Sequence, residues 1–351
     1  RQRQMCIRDR YKIESYVKKD KLVLVRNENW DPATDSFRKA LPDRIEYDFS
    51  VPSAVITERL MADAGNDVYA ISPDSVDPAK LASIFSDAKY EKRRWNELDP
   101  YVRFYFINTK KVPNEKHRQA ILAAVNREEL RKIAGGDYAG EYADGAIKPN
   151  IGMDYAPTGL WDSLLGDKIP ATGNVELAKK LIADSGEAFP NPLVIDYPKT
   201  EVNDKAVASL VASLAAAGIT ATPNGLEPGG YYPIVMDPAK QGGMTAAGWA
   251  PDWVNASTVI PELFTPTGGF ALSQYDDAAW VQRVAAAKAM TDRPAQAKEW
   301  QALNTEAARL GLILPTRFGL EQRIAGSKVT GAYIWGPYGS WPYAILGVNA
   351  K

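Results

Sequence analysis

A strand–helix–strand pattern in the middle of the chain restricts the possible folds more than any other feature. A strand is predicted over residues 193–197, which lie between two prolines. Apolar side chains then recur at i, i+3, i+4 and i+7, the spacing of a helix with one buried face; they are Val207, Leu210, Val211 and Leu214. Gly218 ends this helix, and a strand is predicted to return over residues 219–222. A crossover helix of this length requires two parallel strands with a right-handed connection, which predicts an α/β fold.

The first hundred residues contain a second pattern of this kind. Residues 44–50 alternate apolar and polar side chains, as a half-buried strand does. Helical spacing follows from Val55 to Met61, and Gly65 ends that helix. Residues 68–71 are predicted to form another strand, so this part of the chain would make a further β-α-β unit.

A strand, a loop and a capped helix are predicted between residues 103 and 136. Asn114 is placed to cap the helix, with Glu115 at its positive end. The helix is predicted to run as one element to a last turn near Arg131 and Lys132, with Gly135 just past its end. His117, on this helix, is predicted to lie on the solvated surface.

The last third of the chain predicts two helices, over residues 278–290 and 295–309, and then a strand over residues 312–318. Pro315 interrupts that strand. Because proline cannot donate a hydrogen bond to a neighbouring strand, the strand is predicted to lie at a sheet edge or to end there. Residues 333–343 are predicted to form a loop.

The amino-acid sequence that follows residue 103 resembles that of the family 5 extracytoplasmic solute-binding proteins, the peptide- and nickel-type receptors of ABC importers. Its signature is a strand ending in Asn-Thr, a Lys-x-Pro loop, and then Arg-Gln-Ala-Ile, Ala-Val-x-Arg-x-x-Leu. The matching residues are Asn108, Thr109, Lys111, Pro113, Arg118, Gln119, Ala120, Ile121, Ala124, Val125, Arg127 and Leu130. A Gly-x-Asp-Val turn of the same family is matched by Gly65, Asp67 and Val68.

The resemblance implies an α/β, periplasmic-binding-protein-like (type II) two-lobe fold. It implies that the chain lacks the N-terminal part of lobe one and its inserted domain. Residues 11–100 would be the C-terminal part of lobe one, residues 101–330 lobe two, and residues 331–351 a return segment to lobe one. Residues 1–10, RQRQMCIRDR, are interpreted as translated sequencing adapter or as a disordered basic tail.

The net charge and the small numbers of cysteine and histidine exclude several kinds of function. The net charge of −1 supplies no basic field for nucleic acid, so no nucleic-acid partner is expected. One cysteine, Cys6, and one histidine cannot form a Cys/His metal cluster or a Ser-His-Asp or Cys-His catalytic unit. We therefore expect no cofactor, no metal and no enzymatic activity. Chemistry that uses carboxylates alone stays open.

The sharpest candidate site is the turn Gly248-Trp249-Ala250-Pro251-Asp252-Trp253. The two indoles can supply rigid apolar walls, and the carboxylate can supply a fixed charge for a cationic group. The resemblance implies that Trp249 and Asp252 match the family's Gly-Trp-x-x-Asp, whose Asp pairs with a peptide's α-ammonium group. The alternative is that both tryptophans lie in the core and that Asp252 caps a following turn.

Other aromatic side chains are weaker candidates for binding a ligand. Tyr231 and Tyr232 follow two glycines and could form an aromatic loop at a cleft, or a surface turn with half-buried rings. The resemblance places Tyr105, with Tyr101 and Arg103, where the chain crosses between lobes. Some peptide receptors carry an arginine just before the Gly-Trp pair, where it can meet a peptide carboxylate. This chain has Ala246 and Ala247 there.

The function that the resemblance implies is binding. The chain would be the substrate-binding component of an ABC importer, and a peptide or small solute in an interlobe cleft would favour the closed state. Its expected partners are this ligand and the permease subunits. The protein would be an extracytoplasmic monomer, associated with a membrane only through a lipid anchor outside this chain. The alternatives are a non-transport lipoprotein of the same fold linked to cell-envelope lipoglycan synthesis, and a carboxylate-dependent hydrolase.

Overall fold

The computed structural model describes residues 9–349 and divides them into two compact units. The first unit contains the residues up to Asp99 together with the segment from Leu320 onward, and the second is Pro100–Gly319. Most of the segment 1–10, interpreted above as an artefact or a tail, lies outside the described residues. Among residues 9–349, no helix is both long enough and apolar enough to cross a membrane.

The strands and helices are numbered separately along the chain. The strands are β1 (Tyr11–Val17), β2 (Lys21–Arg26), β3 (Arg44–Asp48), β4 (Arg94–Ile107), β5 (Gly140–Tyr142), β6 (Leu193–Pro198), β7 (Ala221–Leu226), β8 (Met244–Trp249), β9 (Ile313–Ile324), β10 (Val329–Thr330) and β11 (Gly347–Val348). The helices are α1 (Ser53–Ala62), α2 (Leu81–Ser86), α3 (Glu115–Ala124), α4 (Arg127–Ile133), α5 (Val175–Asp184), α6 (Glu201–Ala216), α7 (Tyr231–Val235), α8 (Ile260–Phe264), α9 (Ala278–Ala289) and α10 (Arg293–Arg309).

The first unit contains an antiparallel sheet with the order β1-β2-β3, followed by α1 and α2. The strand predicted over residues 68–71 is wrong, and with it the first β-α-β unit. Gly65–Tyr69 forms a 3-10 helix, and only Ile71 makes an isolated bridge, to Ala325. The carbonyls of Val68 and Ala70 accept hydrogen bonds from amides of the loop after β9, which satisfies them without a strand partner.

The second unit is built on a sheet with the order β5-β9-β4-β8-β6-β7. The central β-α-β prediction is confirmed, because β6 and β7 are parallel and α6 connects them. β8 is parallel to β6 and antiparallel to β4. The strand after α6 begins at Ala221, two residues later than the pattern predicted.

Helices cover both faces of this sheet. One buried cluster combines side chains of α3, α5 and α6 with Ile107, while the other combines α8, α9 and α10 with Phe104 and Phe106. Neighbouring residues of β4 therefore point into different cores, as the period of two requires. The strand that was predicted to end at Pro315 or to lie at a sheet edge does not end there, because β9 continues through Pro315 to Ile324. β5 pairs with β9 only after Pro315, from Arg317, so the missing amide breaks no ladder bond there.

The single helix predicted after Asn114 is two helices. Asn114 caps α3 as predicted, and its side chain accepts from the Lys116 amide at 2.9 Å. Val125 is extended, and the Asn126 side chain accepts from the Glu129 amide at 3.0 Å to begin α4. A second cap therefore restarts the chain in a new direction, which helical periodicity alone does not reveal.

The prediction that His117 is solvated is wrong. His117 is 1% exposed, its Nε2 lies 2.8 Å from the Ser185 hydroxyl, and its ring centroid lies 5.1 Å from that of Phe189. The polar residues that follow it on α3 are buried as well. Arg118 Nε and Gln119 Nε2 donate to carbonyls at the end of α10, which lack partners within their own helix.

Candidate ligand-binding site

β8 carries the predicted Gly-Trp pair to one end of the sheet in the second unit. It runs antiparallel to β4, with Gly248 opposite Arg103 and Trp249 opposite Val102. β8 ends at Trp249. A loop follows, in which Asp252 and Trp253 are exposed.

Trp249 forms part of an aromatic wall. Its indole stacks on Phe270, with ring centroids 5.4 Å apart and an interplanar angle of 28°. Its Nε1 donates to the carbonyl of Thr258 at 2.7 Å, which fixes the plane of the ring. Phe270 also packs against Tyr232, at 5.7 Å between centroids. The side chains of Tyr232, Trp249 and Phe270 are called the aromatic wall below.

Asp252 holds a fixed orientation beside this wall. Its Oδ2 accepts from the hydroxyl of Thr258 at 2.8 Å, and its amide donates to the same hydroxyl at 3.2 Å. Thr258 is fully buried, so this contact anchors the carboxylate. Within the described residues Oδ1 accepts no hydrogen bond, and the residue is exposed. Asp252 does not cap the next turn, because Asn255 does so by accepting from the Ser257 amide.

Trp253 lies outside the core. It is 58% exposed, and its Nε1 donates to the Ser257 hydroxyl at 3.1 Å. The alternative that both tryptophans are core residues is therefore wrong for Trp253, while Trp249 is half-buried. The loop thus presents one exposed indole, one fixed carboxylate and one indole at the end of β8.

A buried ion pair anchors this loop, and sequence reasoning missed it. Asp154 is fully buried; its Oδ2 accepts from the Ala256 amide at 2.7 Å, and its Oδ1 lies 2.6 Å from Nη1 of Arg293. Nearby, the Asn255 side chain donates to Gln296 in α10 at 3.1 Å. No local pattern marks Asp154, because its partners are separated from it by large parts of the chain.

Tyr231 and Tyr232 begin the short helix α7, so the predicted aromatic loop is wrong in its secondary structure. Tyr231 is 1% exposed, and its hydroxyl donates to the carbonyl of Ala246 at 2.7 Å. Burial raises the pKa of its phenol far above the ordinary value. Tyr232 is 46% exposed. The two tyrosines therefore have different positions. Tyr231 supports β8 from the core, and Tyr232 belongs to the aromatic wall.

Tyr105 lies on the other face of the sheet. It is half-buried against the core cluster of α3, α5 and α6, whereas Trp249 packs against the opposite cluster. Burial raises the pKa of Tyr105 to about 12, so its hydroxyl is neutral at physiological pH. The structure does not bring Tyr105 to the aromatic wall.

The buried carboxylate of Asp196 lies near Tyr231. Its contribution to stability is expected to change with pH in the opposite direction from that of a surface carboxylate. Asp196 on β6 is fully buried and accepts from the Gly242 amide at 2.6 Å and from Asn224 at 2.7 Å. Burial raises its pKa above the ordinary value of 3.8 in spite of these bonds. Because its folded-state pKa exceeds its unfolded value, its contribution to stability is complete below that unfolded value. The contribution is lost as the pH rises through the folded-state pKa.

Carbon-detected NMR titration of the side-chain carboxyls checks this prediction. Asp196 is expected to titrate above 3.8 and the partly exposed Asp237 below 3.8, because the hydrogen bond from the Lys240 ammonium group lowers the pKa of Asp237. The reverse order would contradict the assigned burial of Asp196.

Within the described part of the chain, no three His, Cys, Asp or Glu side chains come together as a possible metal site. The arrangement at the end of β8 instead suits recognition. A carboxylate held by a buried hydroxyl can accept from an ammonium group, and indole faces attract cations and cover apolar groups.

Comparisons with solved structures show the fold. The "Clavulanic acid biosynthesis oligopeptide binding protein 2" is 21% identical, with a TM-score of 0.75, and the alignment covers 97% of this chain and 62% of that one. The Escherichia coli murein tripeptide binding protein MppA is 16% identical with a TM-score of 0.78, covering 97% and 64%. Haemophilus influenzae OppA, in complex with RPPGFSPFR, is 18% identical with a TM-score of 0.75, covering 97% and 64%. The predicted α/β, type II periplasmic-binding-protein-like fold is confirmed.

The chain spans less than two thirds of the length of these three structures. No curated protein sequence matches it. The family model described as "Bacterial extracellular solute-binding proteins, family 5 Middle" matches residues 8–271, most of the chain. The chain therefore belongs to family 5 of the bacterial extracellular solute-binding proteins.

Proposed function

We propose that this chain is the substrate-binding component of an ABC importer, and that it binds a peptide or small solute bearing an ammonium group. Asp252 would accept from the ammonium group, with Trp249, Trp253 and Tyr232 as apolar walls. The observation that carries the proposal is the exposed carboxylate of Asp252, held by the buried hydroxyl of Thr258. Membership of a solute-binding family supports binding over catalysis.

The chemistry of the site favours a ligand with both charge and apolar surface. A charge-assisted hydrogen bond between an ammonium group and a carboxylate is stronger than a neutral one, and the adjacent indole faces attract the same cation. Three of the related structures are named for an oligopeptide, for a murein tripeptide and for a bound peptide. A peptide carries an α-ammonium group beside apolar side chains, which is the combination that this loop suits.

The two other predicted residues would act indirectly. Tyr231 would support β8 through its bond to Ala246, and Tyr105 would stabilise the opposite core face. Delivery to permease subunits, an extracytoplasmic monomer and an anchor outside this chain belong to the same proposal. So does the assignment of residues 11–100 to lobe one, 101–330 to lobe two and 331–351 to a return segment.

Replacing Asp252 tests the proposal directly. The Asp252→Asn variant is expected to bind free tripeptides about ten- to a hundredfold more weakly, because a hydrogen bond to a charged group contributes about 1.5–3 kcal/mol. Isothermal titration calorimetry with a random tripeptide library and with its N-acetylated form measures this change. The acetylated library should bind the variant and the wild type alike.

Asp184→Asn is the matched control, because Asp184 is an exposed acid on α5 paired with Lys180. It should leave tripeptide affinity unchanged. Equal affinity of the Asp252 variant and the wild type would remove Asp252 from the site. Failure of the wild-type chain to bind any library peptide would contradict the proposed function.

A further inference from the structure

The first unit contains a cavity of about 770 Å³, and neither the aromatic wall nor the loop with Asp252 contributes to its lining. Its lining comes from three segments of this unit that are far apart in the sequence: residues 61–63 at the end of α1, residues 89–95, and residues 326–332 after β9. Pockets that bind small molecules in proteins have volumes of roughly 300–1,000 Å³. The cavity is therefore large enough for a small organic ligand.

Arg93, one of three cations in the lining, is used by the protein itself. Its Nη1 donates to the carbonyl of Leu60 at 2.6 Å and to that of Ala325 at 3.0 Å, so it joins the end of α1 to the loop after β9. The same Nη1 lies 3.9 Å from the carboxylate of Asp63, which accepts from the Ser327 amide at 2.9 Å. Asp63 is the one acid among the described residues that line the cavity. The charges of Arg93 and Asp63 therefore offset each other, and two lysines decide the sign of the charge in the cavity.

These two lysines, Lys89 and Lys92, lie on one side of a short 3-10 helix. The helix spans Ala88–Arg93, and residues three apart in such a helix lie above one another. Both residues are exposed. Lys89 pairs at 3.1 Å with Asp87, which is not part of the lining, while Lys92 makes no ion pair with any described residue. The cavity thus has an excess of positive charge, and two like charges on one side favour an anion with more than one negative charge.

Trp95 supplies an apolar wall of the same cavity. Its ring makes an edge-to-face contact with that of Trp341, with centroids 5.1 Å apart and an interplanar angle of 86°. Trp341 is 1% exposed and its Nε1 donates to the carbonyl of Ser72, so this contact fixes the plane of the Trp95 ring. Met61 and Val329 add apolar surface to the lining. A fixed indole in a cavity with two ammonium groups suits a ligand that has both a planar apolar part and a negative charge.

We propose that this cavity binds a phosphate monoester that carries an aromatic group, with the phosphate bound by Lys89 and Lys92 and the ring packed against Trp95. A phosphate monoester has a charge of about −1.5 to −2 at neutral pH, which matches two lysines better than a single carboxylate does. Lysine binds phosphate as a point charge, and packing of an aromatic ring on a fixed indole adds to the affinity. This ligand is additional to the one proposed for Asp252.

Isothermal titration calorimetry on the full chain at low ionic strength tests the proposal with three probes, which are phenyl phosphate, inorganic phosphate and phenol. Phenyl phosphate is expected to bind about tenfold more tightly than either of the others, because only this probe contacts both the lysines and Trp95. Trp95→Leu should bring the affinity for phenyl phosphate to within about threefold of that for inorganic phosphate. The affinity for inorganic phosphate itself should stay unchanged in this variant, which also shows that the cavity is intact.

The double variant Lys89→Gln, Lys92→Gln should bind phenyl phosphate about tenfold more weakly, as for the loss of two exposed charge pairs, and should keep its affinity for tripeptides. Its matched control is Lys179→Gln with Lys180→Gln, which removes the same charge from exposed lysines of α5 and should bind phenyl phosphate like the wild type. The proposal is overturned if the wild type binds phenyl phosphate no more tightly than the other two probes, or if the two double variants bind it equally. Because tripeptide binding is measured separately, either result leaves the function proposed for Asp252 standing.

Discussion

Replacing Trp300 with alanine is expected to lower the free energy of unfolding by about 3–5 kcal/mol, because it leaves a large cavity in a close-packed core. Trp300 lies on α10, is 0% exposed, and belongs to the core cluster of α8, α9 and α10. Within the described residues its Nε1 donates no hydrogen bond, so the expected loss comes from packing. Urea denaturation followed by circular dichroism measures it.

Trp253→Ala is the matched control for this prediction. The same side-chain atoms are removed from a residue that is 58% exposed, so the free energy of unfolding should change by no more than about 0.5 kcal/mol. This variant should instead weaken tripeptide binding, because Trp253 is a proposed wall of the site. Equal destabilisation by the two substitutions would contradict the assignment of Trp300 to the core and of Trp253 to the surface.

Asp154→Ala is expected to lower the free energy of unfolding by about 2–4 kcal/mol. Removing one partner of a buried ion pair costs about 3–5 kcal/mol, and solvent access to Arg293, whose side chain is 34% exposed, reduces that cost. The Ala256 amide also loses its acceptor, so the loop with Asp252 loses its anchor. Tripeptide affinity should fall together with stability, as measured by denaturation and calorimetry.

Asp184→Ala breaks an exposed i,i+4 pair with Lys180 and provides the comparison. Its expected cost is within about 0.5 kcal/mol, and its effect on affinity is nil. If Asp154→Ala were as stable as this variant, the ion pair with Arg293 would not anchor the loop. If Asp154→Ala lost stability but bound tripeptides normally, Asp154 would have no part in positioning Asp252.

Local patterns predicted most of the elements of the second unit. The i, i+3, i+4, i+7 spacing found α6, and the flanking β-rich segments found β6 and β7, because both signals depend on residues that are close in sequence. Asn114 was predicted as a cap on the same basis. The loop with Asp252 was proposed as a site from a carboxylate between two indoles in a short turn, and its match to a family motif supported that proposal.

The predictions that the structure contradicts failed because of contacts between residues that are far apart in the sequence. Residues 68–71 have the composition of a strand, but the amides of the loop after β9 satisfy their carbonyls first. His117 was predicted to lie on the solvated surface, but it is buried against Ser185 and Phe189. Arg118 and Gln119, which follow it on α3, are buried as well, and they donate to carbonyls at the end of α10.

The sequence by itself determined the family, the alternation of strands and helices, and the position of the Gly-Trp-x-x-Asp turn, because each depends on residues within a few positions of one another. Only the tertiary structure decided that Arg103 lies against Gly248, that Asp154 binds the Ala256 amide, and that Tyr231 is buried while Tyr232 is exposed. Those contacts depend on which strands and helices become neighbours, and this order results from the packing of the whole chain into its cores.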